Sequence, residues 1–112
     1  NNQQNDQLTL RTARKDDMWL HTQKIPGSHV IIRSRDGEIS TQALSEAALL
    51  AAHFSKAASS SQVPVDFTRR AYVKKPAGAK PGFVVYTPHQ TLYVTPQGER
   101  MEAILKRQVT QP

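Results

Sequence analysis

Cysteine is absent from the 112 residues. That excludes a disulfide framework and every thiolate metal site, and it fits a reducing compartment. Acidic residues are scarce: 9 Asp and Glu stand against 15 Lys and Arg, for a net charge of +6. A domain this basic commonly meets a polyanion, nucleic acid first and an acidic membrane surface second. No apolar run approaches the ~18 residues of a membrane span, and no charged, apolar, small-residue leader opens the chain. Tryptophan occurs once, and aromatic residues make up only 6% of the chain. Apolar residues reach 38%, and 12 of them are Ala. That is enough for one modest core and too little for two domains. The first residue is Asn rather than Met, which reads as a piece of a longer protein.

Several chemistries lack their signatures. GxxxxGK[ST] is missing, so nucleoside triphosphate binding has no support. GxSxG is missing, and Ser28 and His29 are chain neighbours whose side chains diverge on a strand. Ser28 then caps a turn and His29 bonds locally. The four His residues (21, 29, 53 and 89) show no HExxH and no close ligand spacing. Neither a metal nor a cofactor is expected.

The elements follow from periodicity. Residues 1–7 are polar and read as disordered. Leu8 to Thr12 alternates, as does Asp17 to His21, and both read as strands. Val30-Ile31-Ile32 is apolar on both faces and reads as a central strand. Residues 42–58 carry Leu44, Ala47, Ala48 and Ala51 at helical spacing, with Ser40 or Thr41 as N-cap. Val63 to Val73 is extended and broken by Pro64; Phe83 to Tyr86 is a second two-sided strand. Thr91 to Thr95 turns Leu92 and Val94 inward. Residues 97–112 read as a C-terminal helix or tail, with Met101, Ile104 and Leu105 on one side. The expected class is α+β: a single domain over residues 1–112, with a mixed or antiparallel sheet of about five to six strands and one main helix packed on it.

The charge is uneven. From Phe67 to Gly98 there is no acidic residue, and the stretch holds Arg69, Arg70, Lys74, Lys75 and Lys80. The last two frame KPAGAKPG at 75–82. Gly78 lets a ligand backbone come close, Pro stiffens the loop, and loop N–H groups can face anions. A phosphate backbone is the natural target. Trp19, between Asp17 and His21 on one strand face, either stacks on a base or fills the second side of the core under the helix. Asp17 and His21 lie roughly 13 Å apart at ~3.3 Å per residue, too far for a direct acid–base pair on a straight strand. Asn1, Asn2, Asn5 and Asp6 cap a turn, read base edges, or form a flexible end.

Together, NNQQNDQLT at 1–9, DMWLHTQKIPGSHVII at 17–32, EAALLAAHFSKAASSSQVPVDFT at 46–68 and KKPAGAKPGFVVY at 74–86 resemble the NFACT-R domain. That domain belongs to the RqcH family, often labelled fibronectin-binding protein A-like, with a eukaryotic relative called NEMF. The family's D-x-W-x-H signature falls on Asp17, Trp19 and His21. Its asparagine-rich segment falls on Asn1, Asn2, Asn5 and Asp6, and its basic loop on Lys74, Lys75, Gly78 and Lys80. His53-Phe54 departs from an expected aromatic pair.

The resemblance implies a cytoplasmic ribosome quality control factor. Such a factor binds stalled large ribosomal subunits carrying peptidyl-tRNA and supports alanyl-tRNA recruitment and alanine tailing. It implies rRNA, tRNA and the other domains of a longer chain as partners, with no membrane and no small-molecule substrate. It turns the Asp17-Trp19-His21 face into a working surface. The expected RNA contacts are therefore Asn2, Asn5, Asp17, Trp19, His21, Arg69, Arg70, Lys74, Lys75, Gly78 and Lys80, and no residue is expected to be catalytic. The alternatives are a protein-interaction module of the adhesin kind, and an RNA-processing enzyme using Asp17 and His21.

Overall fold

The computed structural model describes residues 1–110, and side chains through Arg107. The chain opens on helix α1 (Asn2–Asp6). Asn1 starts it with a capping box: its side chain accepts from the Gln4 amide, and the Gln4 side chain accepts from the Asn1 nitrogen. The helix widens into a π turn at Gln7–Thr12 and stops where Ala13 becomes extended. This corrects both the disordered end and the strand expected at 8–12. In helical form Thr9 points inward and is buried, while Leu8 and Leu10 are half-buried.

Four strands form an antiparallel sheet, ordered β2 (Val30–Ile32), β1 (Met18–Thr22), β3 (Val63–Arg69), β6 (Gln90–Val94). The short β4 (Val73–Lys74) and β5 (Val85–Tyr86) pair separately. Among the described residues six strands are present, divided between two sheets rather than joined in one, and the class is α+β. Val30–Ile32 forms an edge, not a centre. Val30 and Ile32 pack towards the main core, and half-burial satisfies Ile31. Only Val85–Tyr86 of the second apolar run is strand, and Phe83 and Val85 are exposed. Pro64 sits inside β3, where its carbonyl accepts from Gln23 just past the end of β1. The N–H it lacks is thus missing at a fraying ladder end.

Helix α2 (Thr41–His53) begins at Ser40, whose hydroxyl accepts from the Ala43 amide. It ends at His53, five residues short of the expected 58. Its Ala47, Ala48, Ala51 and Ala52 lie on Leu20, Val63 and Val65 of the sheet. Small side chains let the helix axis approach the strands closely, so a modest apolar content makes a dry core. Helix α3 (Glu99–Thr110) places Met101 and Ile104 against Leu49, as its spacing implies. Residues 111–112 of the expected tail lie outside the described residues. Among the described residues, no helix is long and apolar enough to cross a membrane.

Candidate nucleic-acid interface

The sheet face turned away from α2 is polar and aromatic. Strand alternation places Trp19 and His21 there from β1, Asp66 and Thr68 from β3, and Thr91 from β6. His21 lies opposite Asp66, and Asp66 opposite Thr91. Trp19 is 0% exposed. It packs on Tyr86 at 4.5 Å, His29 at 5.3 Å and His21 at 6.0 Å between ring centroids. In this fold no base can reach its ring. The expectation of a stacking surface is corrected to a core position on the side opposite the helix. Asp17 is buried as well. Its two oxygens accept from the amides of Arg14 (2.8 Å) and Ser34 (3.0 Å), pinning the turn before β1 to the loop after β2.

Asp66 is the centre of a buried network that the sequence did not announce. One oxygen accepts from Gln23 (3.0 Å) and Thr91 (2.7 Å), and the other from the Tyr86 hydroxyl (2.5 Å). The His89 Nε2 lies 3.7 Å away. Burial, then the bond to the Asp66 carboxylate, pushes the Tyr86 phenol well above its ordinary value. Burial also lowers the His21 pKa, against the Gly27 carbonyl and the Asp66 charge. His29 falls to about 4, chiefly by burial and next by the neighbouring His21. Its Nδ1 shares a 2.8 Å hydrogen bond with Thr9, twenty residues away, so its partner is not the local one expected.

Helix α1 is tied to the Gly27–His29 segment beside this face and holds the basic loop. Asn5 is buried; its side chain donates to the Gly27 carbonyl (3.2 Å) and accepts from the His29 amide (3.0 Å). Both ends of that side chain are spent on holding the helix down. Asp6 reaches the other way, accepting from the Gly82 amide (3.0 Å) and pairing with Lys75 (3.2 Å). Lys75 also donates to the carbonyls of Lys80 (2.6 Å) and Phe83 (3.2 Å). It therefore folds the loop around itself, and its charge is partly offset by Asp6. The stretch that lacks acids in sequence is met by two in space, Asp6 at the loop and Asp66 at Tyr86 and Thr91.

What the loop leaves open to a ligand is Lys74, Gly78 and Lys80, all exposed, with exposed Asn2 beside Gly82. Gly82 has φ +85°, and a Cβ there would lie 2.6 Å from the Asn2 Oδ1. Gly82→Ala is expected to cost about 1–2 kcal/mol through its left-handed backbone. It should also loosen the loop from α1, read as faster amide exchange at residue 82.

Arg69 and Arg70 are half-buried and bound to backbone carbonyls. Arg69 donates to Asp16 (2.6 Å) and Gly37 (2.9 Å); Arg70 donates to Thr9 and to Val73 (3.1 Å). Sequence reasoning missed the exposed rings of Tyr72, Phe83 and Tyr93. A signal for the first was available: Tyr72 lies between Arg70 and Lys74, an aromatic residue flanked by cations. Among the described residues, no group of three or more His, Asp or Glu side chains is placed to hold a metal.

These features define a small basic α+β domain whose cationic loop is clamped to an amino-terminal helix. Comparison with known proteins places it further. The sequence profile of the NFACT protein RNA binding domain matches residues 1–87. The chain is 55% identical over 106 residues to the Rqc2 homolog RqcH of Bacillus subtilis (strain 168), covering 95% of this chain and 18% of that protein. It is 44% identical over 106 residues to the Rqc2 homolog RqcH of Streptococcus pneumoniae serotype 2, covering 95% and 19%. A solved structure, the C-terminal part of the fibronectin/fibrinogen-binding protein from Streptococcus suis, superposes with a TM-score of 0.85 at 45% identity. The match covers 92% of this chain and 41% of that one. The chain belongs to the NFACT RNA-binding domain family, and it spans under a fifth of the length of these curated relatives.

Proposed function

We propose that this domain binds RNA for a cytoplasmic ribosome quality control factor, through the loop at 74–82 and with no chemistry of its own. The carrying observation is the loop itself. Lys75 and Asp6 hold it in one shape, while Lys74, Gly78 and Lys80 face solvent. A preformed cationic loop loses little order on meeting a phosphate backbone. The partners we assign to the longer chain are the large ribosomal subunit with its peptidyl-tRNA, and alanyl-tRNA recruited for alanine tailing. The kinship with RqcH proteins supports this reading. The hydrolase alternative is weakened, because both oxygens of Asp17 already serve backbone amides.

Salt-dependent titration with tRNA tests the proposal. Each neutralised phosphate contributes about 0.7–0.9 to the slope of log K against log salt. Lys74→Ala with Lys80→Ala should lower affinity and reduce that slope by about 1.5. An unchanged slope would remove the loop from the interface. The solved neighbour's name, a fibronectin/fibrinogen-binding protein, favours one second reading, a protein-interaction module. That reading expects a stoichiometric protein complex that survives moderate salt, and no tRNA binding.

A further inference from the structure

The sheet ends in a cleft of about 340 Å³ that lies apart from the loop. Three strand termini meet there: Met18 opens β1, Arg69 closes β3 and Gln90 opens β6. The apolar lining comes from Met18, Phe67 and Pro88. Tyr72, which is 48% exposed, adds an aromatic ring from the 3₁₀ turn at Arg70–Tyr72. Among the described residues, no carboxylate lines it.

Arg69 supplies the charge. Two of its five N–H donors are tied to the carbonyls of Asp16 and Gly37, which fixes the plane of the guanidinium. Carbonyls do not neutralise a cation, so the charge remains available to an anion. Gln90 brings both an amide donor and an acceptor to the same opening. A ring to stack on, an amide to read an edge and a fixed cation for phosphate are what one nucleotide needs. The volume lies at the lower end of small-ligand sites, suited to one base rather than a stack. A paired base is held in its duplex and cannot enter.

We infer that this cleft takes a single unpaired nucleotide of an RNA strand, its base against Tyr72 and its phosphate at Arg69. The inference deepens the RNA-binding reading and rests on it. It adds a second contact, with selectivity for single strands, to a loop that reads only charge.

The test uses this chain, a fluorescent single-stranded RNA ten-mer and the same sequence paired in a duplex. The single strand should bind more tightly. Tyr72→Ala should weaken it about 5- to 150-fold, with duplex affinity unchanged, and Tyr72→Phe should restore it. A readout on the unaltered protein stands beside this. Adding AMP should shift the methyl resonance of Met18 and leave that of Met101, buried under α3, in place.

Suppose Tyr72→Ala changes single-strand affinity less than twofold while the Lys74/Lys80 substitutions still lower it. The cleft proposal is then overturned and the loop reading stands. Equal losses for both RNA forms also overturn it. If neither RNA binds the unaltered chain even at low salt, the RNA-binding reading itself fails, and this cleft would be a docking face for another protein segment.

Discussion

Trp19→Ala is expected to destabilise the domain by about 3–5 kcal/mol, the usual cost of emptying a large buried aromatic site. Against a total of ~5–15 kcal/mol for a domain, that is a large share. The cost follows from position. Trp19 is the largest fully buried side chain, and it joins β1 to Tyr86 of β5 and to His29 beneath α1. Its loss undermines the helix that clamps the basic loop. Trp19→Phe should cost much less. The indole N–H is buried with no acceptor among the described residues, so removing it relieves a donor that is expensive to bury. Urea unfolding of the three proteins, with tRNA titration under folding conditions, decides the matter. A midpoint unchanged in Trp19→Ala together with lost RNA binding would make Trp19 a contact and refute its core placement.

The same residue shows what could be read from the sequence. Alternation placed Asp17, Trp19 and His21 on one strand face; the structure keeps Trp19 and His21 there but leaves Asp17 in the bend before β1, turned to the amides of Arg14 and Ser34. Alternation does not say what covers that face. The cover includes Tyr86 of β5 and His29, and His29 is held in turn by Asn5 and Thr9 of the asparagine- and glutamine-rich amino-terminal segment that composition marks as disordered. Its order comes from a capping box and from one side chain, Asn5, bonded to Gly27 and His29 across more than twenty residues. Such bonds leave no periodic trace. The Ala-rich helix and its N-cap were legible because they are local. The edge position of Val30–Ile32 was not, since an apolar triplet satisfies a half-buried edge as well as a centre. For the candidate site, sequence found the cations but not how they are used. Lys75, Arg69 and Arg70 are engaged with carbonyls or with Asp6, and only the fold separates them from Lys74 and Lys80.

The clamp should also be sensitive to acid. His29 is 5% exposed, and its pKa in the folded state is about 4, below the ordinary 6.5. Between those values the unfolded chain holds a proton that the folded chain does not. Stability is therefore full above about pH 6.5 and is lost as the pH falls towards 4. A difference of this size corresponds to about 3 kcal/mol when fully expressed. The causes are identifiable. Burial dominates; His21 and Lys75 push in the same direction, while Asp6 and the Gly82 carbonyl resist. His21, itself lowered by burial, adds to the trend with the same sign. Carboxylates that protonate at the lower end act alike, so the informative quantity is a difference between variants. His29→Gln keeps a polar group opposite Thr9 but cannot titrate. It should be less stable at pH 7.5, yet lose markedly less between pH 6.5 and 4.5 than the unaltered chain. Parallel pH profiles for the two proteins would show that His29 is not the group that acid acts on. Because Thr9 and Asn5 tie His29 to the segment that bears Asp6, protonation should also release the loop. Amide exchange at residue 82 should then accelerate at a higher pH than global unfolding begins.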